Sequence, residues 1–205
     1  VNGNTAAPEK ATPETFLQLG LSDIPDEGVL SNGVPAAPGA LLSTLAKFGR
    51  LTFADVIGPA LDFAKNGFPL HTGLYGQERY GIRDLEEKFR NQWPHSAEVY
   101  IPNGQIPKVG QVIFNPALAD LLEYLKAEEK TKTGTRKKGL QAVLDAFYKG
   151  EPALEIEKFS RQKGGLLSRS DLGCFETYFE EPVSLHFENT TLFKCGPWNQ
   201  GPVLL

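Results

Sequence analysis

Methionine is missing from all 205 residues, and cysteine occurs only twice, at Cys174 and Cys195. Two cysteines are too few for the framework of a small disulfide-stapled domain. They leave two readings open: one bridge in an oxidising compartment, or two small buried side chains acting as weak hydrophobes. Without methionine there is not even an initiator residue. The first ten residues, VNGNTAAPEK, lack the charged-then-apolar pattern of a secretory signal. The last ten, GPWNQGPVLL, close on an apolar run, where a free end is ordinarily polar and frayed. These features lead us to expect an interior piece of a longer polypeptide, with any targeting segment upstream. Location stays undecided between periplasm and cytoplasm.

Long apolar runs are missing too. None approaches the roughly 20 residues of a membrane span, so no membrane partner is expected. Nor is there a strong charge of one sign. Lys and Arg number 21 against 25 Asp and Glu, a net charge of -4. That balance argues against general binding of nucleic acid or anionic lipid. What is present is core material. About 40% of residues are hydrophobic, with 13 Phe, 6 Tyr and 2 Trp, which rules out disorder of the chain as a whole.

Periodicity divides the chain into three stretches. Residues 1–37 are rich in Pro, Gly, Asn and Ala and read as extended or loop structure, with a short helix at Pro13–Leu19. Residues 38–172 read as helical. Pro38 suits a first helical turn, Leu41, Leu42, Leu45 and Phe48 recur at helical spacing, and Gly49 is a stop. The next helix has Thr52 and Asp55 at its start and Gly67 at its end, and Pro59 is expected to bend or divide it. Residues 70–93 read as two short helical pieces broken near Gly81, and 94–114 as loop with a short strand at Val99–Ile101. Asn115-Pro116 is a cap followed by a first-turn proline. The basic run Lys130–Lys138 reads as a solvated linker, and a helix resumes at Leu140 and stops at Gly150. Pro152 opens another, expected to bury Ile156 and Phe159, and Ser168 with Asp171 marks a last short turn. In 173–205 the period changes to two. Val183, Leu185 and Phe187 alternate with polar residues, and 182–195 reads as a hairpin, preceded by a strand at 174–180. The expected class is α+β: six or seven helices and then a small piece of sheet whose partners lie elsewhere.

Chemistry is hard to find by residue type. His71, His95 and His186 are far apart, with no Cys or carboxylate at ligand spacing, so no metal is expected. Ser168 and Cys174 are nucleophile types, but neither lies in a G-x-S-x-G elbow or a cysteine-protease signature. The run KTKTGTRKK has no interleaved aromatics for stacking on bases. The glycine-rich pieces match no phosphate-binding fingerprint.

The order of several short motifs carries more. APEKATPETF, Ala7 to Phe16, resembles the segment that follows the Arg-Glu-x-Ala-Pro motif of gamma-glutamyltransferases. SNGVPAAPGALLSTLAKFGRLTFADVIGPALDFAKNGFPL, Ser31 to Leu70, resembles the same family's G-V-P-G stretch. DAFYKGEPALEI, QKGGLLSRSDL and EEPVSLHF are similar to its "F-Y-x-G-x-x-A-x-x-I", "G-G-x-x-x-x-x-D-L" and "R-x-P-I-S" patterns. GPWNQGPVLL stands in the place of its "P-P-S-S-G-G" loop. The resemblance covers nearly the whole chain, and the order is more specific than any single motif.

It implies the middle of the large subunit of an N-terminal-nucleophile hydrolase with an αββα fold. In that family the precursor cleaves itself, and the new N-terminal Thr of the small subunit attacks a gamma-glutamyl amide. That Thr would lie beyond Leu205, so this chain is expected to hold no catalytic residue. The implied partners are the small subunit, or remainder of the precursor, and a small-molecule amide of the glutathione type. No cofactor is implied, and a homodimer through an open strand edge is an option. Two alternatives stand beside this reading: a related acylase with another amide substrate, and a non-catalytic scaffold.

One position departs from the pattern. The family's Arg of Arg-Glu-x-Ala-Pro grips the alpha-carboxylate of the glutamyl group, and a guanidinium suits that task. Counting back from Pro8, the matching residue is Asn4, the expected substrate-binding position. Asn carries no charge, and residues 1–49 contain no Arg to replace it.

Overall fold

The structure is a computed structural model describing residues 1–76, 80–132 and 134–205. Part of the helical stretch expected at 70–93, namely 77–79, and residue 133 of the basic run lie outside the described residues. The chain forms two compact units, Val1–Phe53 with Glu128–Leu205, and Ala54–Ala127.

The first unit opens in extended chain. Thr12 starts α1 (Pro13–Gln18) by accepting the Thr15 amide at 3.2 Å, with Pro13 in the first turn, where its missing N–H costs nothing. A 3₁₀ turn at Val29–Ser31 leads to α2 (Ala37–Phe48), which has Pro38 in its first turn and ends at Gly49. Its cap residue, Ala36, has no side chain to offer the first amides. The buried Tyr148 supplies the oxygen instead: its hydroxyl accepts from the Gly39 N–H at 2.9 Å and donates to the Pro35 carbonyl at 2.6 Å. Gly39 has to be glycine, because a Cβ there would stand 2.8 Å from that hydroxyl and 2.9 Å from the Phe175 ring.

The second unit is built from local pieces. α3 (Phe53–Asn66) runs through Pro59 as one element. Of the bend or division expected at Pro59, division is absent: one lost backbone bond is outweighed by the turns on either side. β1 (Phe68–Pro69) is followed by three short helices, α4 (Thr72–Tyr75), α5 (Glu86–Asn91) and α6 (Pro94–Tyr100). α4 and α5 fall in the two short helical pieces expected at 70–93, and α6 stands where loop was expected. β2 (Val112–Ile113) pairs antiparallel with β1, Phe68 opposite Ile113. α7 (Pro116–Glu129) starts where expected, the Asn115 side chain accepting the Leu118 amide at 3.1 Å. Leu70, Ile82, Ile101 and Ile113 form the core, flanked by Phe68, Leu74 and Phe89. Full burial of such side chains contributes about 1.5–3 kcal/mol each. The strand expected at Val99–Ile101 is not there. Val99 and Tyr100 finish a helix begun at Pro94, and Ile101 turns into the core.

The chain then returns to the first unit with α8 (Arg136–Lys149), α9 (Glu151–Gln162) and α10 (Arg169–Gly173). The basic run is therefore linker only in part, since Arg136, Lys137 and Lys138 form the first turn of α8. α9 packs on α8 through Ala153 and Ser160; Ile156 is half-buried and Phe159 is exposed, against expectation. β3 (Val183–Phe187) and β4 (Thr190–Lys194) form the expected antiparallel hairpin, Leu185 opposite Leu192, turning at Glu188 (φ 51°) and Asn189. Of the strand expected at 174–180, a single bridge remains, from Tyr178 to Asn2. Phe187 and Phe193 are both more than 60% exposed, as expected for a hairpin without sheet neighbours. A final turn of helix, α11 (Gly201–Leu204), closes the chain. Among the described residues no helix is long and apolar enough to cross a membrane. The architecture is mainly helical with a small amount of antiparallel sheet.

Candidate functional site

Asn4 is exposed, in the extended segment before Pro8, and that segment is tied down on both sides of it. On one side, the Asn2 amide donates to the Tyr178 carbonyl at 2.7 Å. On the other, Thr5 Oγ1 donates to the Val34 carbonyl at 2.7 Å, and the Val34 amide returns to the Ala6 carbonyl at 2.9 Å. This close approach explains Gly33, where a Cβ would overlap the Thr5 side chain. The GVP stretch and the AAP stretch, far apart in sequence, are therefore one structure.

The Asn2 side chain organises what lies beside Asn4. Its Oδ1 accepts the Asn4 backbone N–H at 2.9 Å, and its Nδ2 donates to Glu180 Oε1 at 2.7 Å. Glu180 Oε2 accepts from the Trp198 indole Nε1 at 2.6 Å. These bonds, from Asn2 first and Trp198 second, hold the Glu180 carboxyl below the ordinary Glu range, because both donors favour its charged form. A cleft of about 280 Å³ runs along the same edge, bordered by Glu180, Glu181, Phe193, Lys194 and Trp198. The side-chain amide of Asn4 has no hydrogen-bond partner among the described residues and is free to meet a ligand.

The other residues raised by type have structural work. His71 caps α4, its Nδ1 accepting the Leu74 amide at 3.2 Å. His186 lies 3.1 Å from Thr191 across the hairpin, and His95 lies beside Glu98 on α6. Ser168 caps α10 in a reciprocal box with Asp171. Both cysteines are free, Cys174 exposed and Cys195 half-buried, so neither is the buried hydrophobe that one reading expected. Arg136 donates to the carbonyls of Leu45, Ala46 and Leu51 and is committed to the end of α2. Among the described residues no three His, Cys, Asp or Glu side chains gather as a metal site.

A second cleft, of about 300 Å³, lies between α2 and α8. Lys149 bonds Asp145 at 2.9 Å on its wall, and the Thr177 hydroxyl is buried there without a partner among the described residues. It adjoins the Tyr148 cap and serves α2. Inspection of the sequence does not find Asn2, Glu180 and Trp198, because 178 residues separate the first pair. The one available signal is that Glu180 stands where the R-x-P-I-S pattern has its Arg.

Known proteins resemble this chain along its whole length. The gamma-glutamyltranspeptidase family model matches residues 1–205. The glutathione hydrolase proenzyme of Bacillus subtilis is 28% identical over 209 aligned residues, covering 100% of this chain and 32% of that protein. The chain spans about a third of the length of the curated relatives it matches. Among solved structures, LmbA2991HD superposes with a TM-score of 0.89 at 30% identity, over 98% of this chain and 36% of the other. A cephalosporin acylase from Bacillus halodurans superposes with a TM-score of 0.77 at 25% identity, over 96% of this chain and 34% of that one. A family-model match from Val1 to Leu205, joined by a backbone likeness over 98% of the chain, places the chain in the gamma-glutamyltranspeptidase family.

Proposed function

We propose that this chain is the middle of the large subunit of a gamma-glutamyltransferase-like enzyme, built on the αββα fold of N-terminal-nucleophile hydrolases. The observation that carries the reading is the family match across the whole chain, together with relatives described as proenzymes. In this reading the remainder of the precursor supplies a Thr freed by self-cleavage. Its hydroxyl attacks the amide carbonyl, and its own alpha-amino group takes the proton. The tetrahedral oxyanion is held by backbone amides. The carbon–nitrogen bond breaks, the amine leaves with the proton, and an ester joins Thr to the acyl group. Water or an amine acceptor then releases the acyl group and restores the hydroxyl. This chain contributes the Asn4 segment, which meets the acyl end of a small-molecule amide.

A second reading keeps the chemistry and changes the substrate to another amide. Two observations favour it: Asn4 in place of a charged clamp, and the likeness to a cephalosporin acylase. The test uses the full-length parent protein. Its purified form should yield a small subunit beginning with Thr and should hydrolyse L-gamma-glutamyl-p-nitroanilide or another amide. A parent with no Thr-led subunit removes the enzymatic reading. Asn4→Arg should lower the gamma-glutamyl anilide KM by a few-fold, about 0.2–1 kcal/mol for an exposed charge pair; an unchanged KM shows that Asn4 does not meet the substrate.

A further inference from the structure

We infer that Glu180 determines specificity at this site, and that the substrate is an amide whose acyl group carries no free carboxylate. The inference rests on the reading above, in which the Asn4 segment meets the acyl group. Its physical basis is the Asn2 side chain, a single amide held between the Asn4 backbone on one side and the Glu180 carboxylate on the other. The Asn4 backbone therefore lies one side-chain amide away from an anion. The donors that hold that anion, Asn2 and Trp198, are both neutral, so they fix the carboxylate without cancelling its charge. Glu181 adds a second negative charge along the adjoining cleft. Lys194 and the amino group of Val1 are the cations there; the Val1 charge favours the ionised Glu180, and Lys194 forms no ion pair with Glu180 among the described residues.

The two departures from the family's patterns point the same way. The pattern has Arg at the positions of Asn4 and of Glu180, and both positions touch Asn2. A local misalignment at the N-terminal loop would account for the first and not for the second, which lies in the EEPVS strand entry. The pair replaces two positive charges by none and one negative. An incoming carboxylate then meets repulsion from an exposed, solvent-screened anion where it would have met a clamp. An acyl group keeping its amine and lacking the carboxylate escapes this penalty.

The experiment compares two anilides on the processed full-length enzyme: L-gamma-glutamyl-p-nitroanilide and 4-aminobutyryl-p-nitroanilide, which differ by that carboxylate alone. The wild type should favour the aminobutyryl compound in kcat/KM by about tenfold or more, and added salt should narrow the preference. Glu180→Gln should narrow it by about three- to tenfold, through KM for the gamma-glutamyl compound. Glu180→Asp, which keeps the charge, should retain the wild-type preference, a result that a merely structural role would not give. A wild type that favours the gamma-glutamyl anilide, or a Glu180→Gln ratio equal to the wild type's, overturns this inference and leaves the proposed reaction standing. Turnover of neither anilide, nor of any other amide, by an enzyme lacking a Thr-led subunit removes the reaction and this inference with it.

Discussion

Ser168 and Asp171 close a reciprocal cap on α10. Asp171 Oδ2 accepts the Ser168 amide at 2.8 Å and its hydroxyl at 2.5 Å. The same carboxylate reaches back through Oδ1 to the Glu9 amide at 2.7 Å, which anchors the chain just after the AAP stretch. Burial by itself would raise the Asp171 pKa. The bonds from the Ser168 side chain and from the Glu9 and Ser168 amides outweigh it, with Lys10 assisting, and the net shift is downward. A carboxyl with a depressed folded pKa stabilises fully above its unfolded value, about 4, and the contribution fades as pH falls through the lower folded value. Asp171→Asn is therefore expected to cost about 0.5–1 kcal/mol near neutral pH, the charge being largely screened by solvent. Denaturant titrations of the parent protein from pH 6 to 2.5 should show the difference between variant and wild type shrinking below about pH 4. A constant difference over that range would place the effect in packing rather than in the charge.

α2 illustrates how an element can be legible while its supports are not. Its residues announce themselves: Pro38 for the first turn, Leu42 on the buried face, Gly49 at the stop. Its two ends, however, are finished by α8, a hundred residues away. Tyr148 serves the amino end, and Arg136 takes the last carbonyls. No local pattern marks a tyrosine as a cap, and Arg136 is hidden inside a basic run that looks like solvated linker. The same limit explains the candidate site. Asn4 was legible because a motif names its position, whereas Asn2 and Glu180 gain meaning only when the chain folds back. Phe159 differs in the opposite direction, a large apolar residue that stays exposed while the small Ala153 is buried. The Tyr148 hydroxyl is buried, which pushes its pKa upward and keeps it a neutral donor. Tyr148→Phe should remove both bonds, leave the Gly39 amide and the Pro35 carbonyl without a protein partner, and lower stability by about 1–3 kcal/mol. Hydrogen exchange of the parent should localise the loss to the first turn of α2; a uniform loss would contradict the cap.

At the scale of the molecule, the chain leaves one unit at Phe53 and re-enters it at Glu128. Within that unit the buried Glu129 carboxylate accepts the Phe53 N–H at 2.6 Å. Exit and re-entry are therefore stapled together by this hydrogen bond. The expected outcome is that replacing 54–127 by three glycines preserves the exchange protection of α2, α8 and α9, because so short a bridge adds little loop entropy. Loss of protection in all three would show that the two units fold only together. If the staple behaves so, the stretch between Phe53 and Glu128 is a cassette: evolution, or an engineer, can lengthen, trim or exchange it there without redrawing the scaffold that carries Asn4.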